Sequence, residues 1–213
     1  VLLTATVALH ALAGSIALVA MWVPIFSKKG GRVHRRAGRV YAHAMTAVVV
    51  LAWAACAQNL ALGRNVSGVP LLALLALLAF GNLRFGLNVL SVEPPSRFAR
   101  ALALAMVGAG VGGLVHGLVD DQVLMLPFSA LCLYFGVQHT RAYRAPPVER
   151  NARIAAHLGN VLGSCIAAWT AFLVVTAHGQ LPVPRLLVWM APTLVCTPVI
   201  VLWGRAWARR GTA

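Results

Sequence analysis

Ser27–His43 reads S-K-K-G-G-R-V-H-R-R-A-G-R-V-Y-A-H, with long apolar runs on both sides. It holds six of the eighteen Lys and Arg residues of the chain: Lys28, Lys29, Arg32, Arg35, Arg36 and Arg39. A short, strongly basic segment between apolar runs marks the cytoplasmic side of a membrane, because Lys and Arg are retained there during insertion. The reading expected from this stretch is an all-α, polytopic helix bundle in a single transmembrane domain spanning the whole chain.

Composition agrees. Hydrophobic residues make up 60% of the 213 positions and charged residues only 10%, against about a quarter charged in soluble domains. The net charge of +14 raises nucleic acid as a partner. That partner is excluded here, because the basic residues sit between apolar runs instead of lining one amphipathic face. Cys56, Cys132, Cys165 and Cys196 all fall in apolar segments without metal-site or redox spacing and read as small buried side chains. The first apolar run, at about 24 residues, is too long for a signal-peptide core and reads as a retained span.

A helix needs about 20 apolar residues to cross the hydrocarbon layer with its backbone bonded internally. Seven runs are expected to do so: Leu2–Trp22, Val40–Leu62, Val69–Leu90, Phe98–Val119, Val123–His139, Arg153–Ala177 and Leu186–Trp203. Pro192 and Pro198 predict bends in the last. With Ser27–Arg39 in the cytoplasm, alternation of seven spans places fifteen of the eighteen basic residues on that side. Arg64, Arg185 and the acidic pair Asp120-Asp121 fall on the other, and Arg84 is left inside the third span. The expected topology is therefore N-terminus outside, C-terminus cytoplasmic. Gly108 and Gly112 in the fourth span, and Gly159 and Gly163 in the sixth, form small-xxx-small patterns that suit close helix contact or a flat cofactor.

Ionisable side chains within lipid-spanning segments are costly, and they face the bundle interior or mark function. They sort by depth into an inner set of His43, Arg84, Asn88, His139 and His157 and an outer set of His10, His116 and His178. Histidines at two depths on different helices suit haem b held by paired imidazoles, a low-spin centre that passes electrons with little rearrangement. His10, His43, His116 and His157 are the candidate metal ligands, and Arg84 is a candidate partner for a propionate. His139, beside Arg141, reads as interfacial or structural. Trp22, Phe26, Trp189, Trp203 and Trp207 read as interfacial anchors. There is no nucleophile elbow, phosphate loop, H-E-x-x-H or dinucleotide fingerprint, and no Asp or Glu placed for a membrane hydrolase or cation pump.

His10 with Gly14, followed by Lys29, Gly30, His34 and Gly38 in the pattern K-G-x-x-x-H-x-x-x-G and then His43, resembles a bacterial family of multi-span membrane proteins of unknown function. The resemblance covers the first two spans. It implies a multi-pass protein of the bacterial inner membrane, points to His34, Gly38 and His43, and supplies no activity. In general plan the chain is also similar to b-type dihaem membrane cytochromes, whose six-helix members have one span fewer. Three functions stay open. The first is electron transfer through haem b, linked to quinone or a redox partner. The second is a transporter or channel for a small anionic or neutral solute, with a polar site around Arg84, Asn88 and His157. The third is an accessory subunit packed among other membrane subunits. Membrane lipids are partners in all three.

Overall fold

The computed structural model describes residues 2–91, 93–177, 182 and 184–209. They form helices α1 (Leu2–Ala20), α2 (Trp22–Phe26), α3 (Arg32–Ala61), α4 (Val69–Asn88), α5 (Arg97–Val119), α6 (Met125–Arg144), α7 (Arg150–Ala177) and α8 (Arg185–Arg209). A 3-10 turn at Val66–Gly68 leads into α4. Among the described residues there is no strand. Among the described residues six stretches are long and apolar enough to cross a membrane: Leu2–Phe26, Arg32–Ala61, Val66–Asn88, Arg97–Val119, Arg150–Ala177 and Arg185–Arg209. The remaining long helix, α6, carries Gln138, His139, Arg141 and Arg144 in its second half.

Helix boundaries differ from the sequence expectation at the charged ends. The segment taken for a loop is mostly helix: Arg32 through Arg39 form the first two turns of α3, which starts eight residues before the expected Val40. Only the connection through Gly31 is irregular, and Gly30 takes φ +73 there, a left-handed conformation that a side chain would strain. Helices α7 and α8 also begin in basic residues, Arg150 and Arg185. Backbone bonds within a helix are satisfied locally, so nothing stops a helix where the lipid ends. Helix α5 does start where expected, after Pro94-Pro95, with Ser96 Oγ accepting from the Ala99 amide at 3.2 Å. Such a cap satisfies one of the open amides of the first turn. Helix α8 runs continuously through Pro192 and Pro198, although each proline removes one amide donor from the ladder.

The chain forms two compact units, residues 1–80 and 81–213. In the first, α1 lies along α3. The buried side is Thr6, Ala13, Ala17 and Met21 from the first helical stretch and Tyr41, Met45, Val49 and Cys56 from α3, spaced by four or seven residues as one helical face requires. Two side-chain bonds cross the seam: His10 Nδ1 to the Val48 carbonyl at 2.9 Å and Gln58 Nε2 to Thr6 Oγ1 at 3.1 Å.

In the second unit α5 packs on α6, and α7 on α8. The α5–α6 seam is a backbone contact. A Cβ on Gly110 would lie 2.5 Å from the Leu133 amide nitrogen, and one on Gly136 2.7 Å from that of Val107. Gly113 and Gly117 instead make room for side chains of α6, those of Ser129 and Leu126. The expected contact face, Gly108 with Gly112, has open space beside it. The same helix therefore packs through its other glycine stripe. Of the two glycines noted in α7, Gly159 has nothing near it and Gly163 lies against Asn82.

Candidate functional site

Polar side chains of the second unit gather where the C-terminal part of α4 meets α6 and α7. The approach of α4 to α7 depends on Gly86: a Cβ there would meet Val161 Cγ2 at 2.8 Å and Asn160 Cβ at 3.1 Å. This contact brings His157 Nδ1 to 2.7 Å from the Gly86 carbonyl. One helical turn further along α7, Asn160 Nδ2 donates to Ala156 O at 2.9 Å. That bond orients the amide, so Asn160 Oδ1 is the acceptor for His139 Nε2–H at 2.8 Å.

His139 is 1% exposed. Its ring stacks on Phe85 with centroids 4.1 Å apart and planes 8° from parallel, and Phe135 covers it from 6.0 Å. Since Nε2 carries the proton, Nδ1 carries the lone pair, and Nδ1 is buried with no hydrogen-bond partner among the described residues. One turn beyond His139 on α6, the Tyr143 ring lies 5.3 Å from Phe85, and its hydroxyl is within reach of Asn88 and of the charge of Arg84. Arg84 is half-buried, and its Nε has no hydrogen-bond partner among the described residues. The same holds for Oδ1 of Asn82, which is buried two residues before.

The sequence-derived candidates are divided between the two units. Arg84, Asn88 and His157 fall in this one polar layer. His116, at the end of α5, pairs through Nδ1 with the Asp120 carboxylate one turn on. In the first unit, His10 bridges α1 to α3, and Gly14, one turn along, faces Val48 itself. The H-x-x-x-G pattern is thus a helix-packing device. His43 lies on an exposed face of α3. His178 lies outside the described residues.

His139, for which an interfacial or structural role is expected, is buried inside the unit against aromatic rings. The signal for it was the spacing Phe135, His139, Tyr143, which puts two aromatic rings and an imidazole on one helical face.

The K-G-x-x-x-H segment has a local structural role. Lys29 Nζ donates to the carbonyls of Pro24 at 3.0 Å and Ser27 at 3.3 Å, and also to that of Ile25. His34 Nδ1 reaches the same Pro24 carbonyl at 3.1 Å. Together they satisfy carbonyls that the end of α2 leaves open. Burial holds the Lys29 ammonium below the usual lysine pKa.

Among the described residues no three His, Cys, Asp or Glu side chains gather as a metal site. For a haem, which needs one imidazole on each face, the chemistry of the donors is suitable in part. His10 and His157 each give Nδ1–H to a backbone carbonyl, which leaves the lone pair on Nε2, the nitrogen that binds iron. Of the other two candidates, His43 is exposed on α3 and His116 pairs with the Asp120 carboxylate. No protein-family model, no curated protein and no solved structure matches the chain.

Proposed function

We propose that the protein is a seven-span protein of the bacterial inner membrane, N-terminus outside and C-terminus cytoplasmic, that binds a small anionic solute in the polar layer of α4, α6 and α7 and carries it across. The alternation of basic connections supports this topology. One observation carries the function: Arg84 is half-buried in an apolar helix, its Nε is unpartnered, and the described residues contain no Arg–carboxylate pair. A guanidinium in a spanning segment is costly unless an opposite charge compensates it, and a bound anion supplies that charge. Asn88 and Tyr143 add neutral hydrogen-bonding groups on the same side of α4. His157, Asn160 and His139 lock the helices around it, so that the layer is already shaped before a ligand arrives.

The test is uptake of small anions (inorganic phosphate, sulfate and short carboxylates) by liposomes containing the full chain. At least one is expected to enter faster than in empty liposomes, and Arg84→Gln should slow that uptake by tenfold or more. Absence of uptake and binding across the panel, or an Arg84→Gln variant as fast as the parent, rejects the proposal.

A second reading is favoured by the imidazole tautomers: His10 and His157 present Nε2 as donor. In that reading His10, His43, His116 and His157 hold b-type haem, which would supply a one-electron centre, and Arg84 faces an anionic substituent. A Soret band in the purified protein that weakens in His157→Ala supports it, and a protein without visible absorption rejects it.

A further inference from the structure

The first turns of α3 carry an unusual charge arrangement. The N-terminus of a helix has the positive end of the backbone dipole and normally attracts acidic side chains. Helix α3 instead opens with Arg32, Arg35, Arg36 and Arg39; its first turn holds no acidic residue, and Gly31 offers no side-chain cap. Nothing within the unit can neutralise them, because residues 1–80 contain no Asp or Glu.

Arg32, Arg36, Arg39 and His43 follow one another at intervals of four, three and four residues, which is a single helical face, and all four are exposed. The three arginines rise over about 10 Å of helix axis. The face then becomes apolar, with Val40 and Val50 half or more exposed. A face that is cationic for two turns and apolar beyond has the charge and polarity sequence of a phospholipid, from phosphate to acyl chain.

We infer that this face of α3 is a binding site for an anionic phospholipid, its phosphate against Arg32, Arg36 and Arg39 and an acyl chain along Val40 and Val50. A soluble anion would use the arginines but leave the apolar continuation without a role. A zwitterionic lipid brings an amine that opposes the same charges. The site consists of residues of the first unit alone, and the inference does not depend on the function proposed for the second.

The experiment measures binding of two labelled lipids with the same acyl chains to the full chain in detergent, one with an anionic amine-free headgroup and one with choline. The anionic lipid should bind at least tenfold tighter. At about fivefold per interfacial arginine, Arg36→Gln with Arg39→Gln should weaken it roughly 25-fold, whereas Arg36→Lys with Arg39→Lys should retain most of the binding. Arg97→Gln with Arg100→Gln, an equal loss of charge on exposed positions of α5, should change it less than threefold. Thermal unfolding of each variant checks that it is folded. Equal binding of the two lipids overturns the inference, as does an equal loss from both Gln pairs, which would indicate net charge alone. Displacement of the lipid by millimolar inorganic phosphate also overturns it, since that marks a soluble-anion site.

Discussion

The α1–α3 seam of the first unit and the α5–α6 seam of the second join apolar helices by different means. Between α1 and α3 the buried side chains are of medium size, Met21, Tyr41 and Met45 among them, and polar bonds from His10 and Gln58 bridge the gap. Between α5 and α6 four glycines bring the backbones together. The α4–α7 contact combines both, with Gly86 at the crossing and His157 bonded to its carbonyl. In lipid, apolar faces gain little by leaving their surroundings, so association depends on close packing and hydrogen bonds. Each seam uses one of these more than the other, and the polar layer arises where both meet.

The largest predicted effect tests the glycine seam. Gly110→Val places a side chain on the Leu133 backbone, which cannot give way as a flexible side chain does. Overpacking of this kind costs about 3 kcal/mol, seen as a marked fall in thermal stability in detergent. A stable Gly110→Val variant would mean that the seam is looser than the geometry requires.

Next comes the polar layer. His139→Leu leaves Asn160 Oδ1 without its donor and should cost about 2 kcal/mol. Pairing it with Asn160→Leu removes both unmet groups and should recover part of the loss. If the double variant is as unstable as the sum of the single ones, the two residues do not act as a pair.

A smaller effect is expected across the α1–α3 seam. His10→Phe loses one hydrogen bond to a carbonyl and should cost about 1 kcal/mol, less than the change at His139 because His10 is only half-buried. The smallest belongs to the outer stripe of α5: Gly108→Val meets no neighbouring atom and should shift stability by under about 0.5 kcal/mol. The ratio of Gly110→Val to Gly108→Val, two positions on one helix, is the sharpest comparison of the series, since the helix-propensity change is shared and only burial differs.

The histidines show how much of the site was legible beforehand. Arg84, Asn88 and His157 stand out in the sequence as ionisable or polar groups in spanning segments, and in the structure His157 bonds the carbonyl of Gly86, which lies between Arg84 and Asn88 along α4. His139 reads as interfacial or structural from its neighbour Arg141, and only the structure shows that it is among the most buried side chains of the unit. His43 drew attention for its depth, yet it is exposed. Sequence distance from a charged residue estimates depth along a helix, but it carries no information about the direction a side chain faces.

The sequence by itself determined the helical class and most helix positions, because long apolar runs and the need to satisfy every backbone group within the chain are local constraints. Tertiary structure alone decided which glycine stripe of α5 is buried and which histidines tie helices together. The reason is that a helix apolar on all sides has no contrast to select its packed face. That choice depends on the shape and hydrogen bonding of the neighbouring helix.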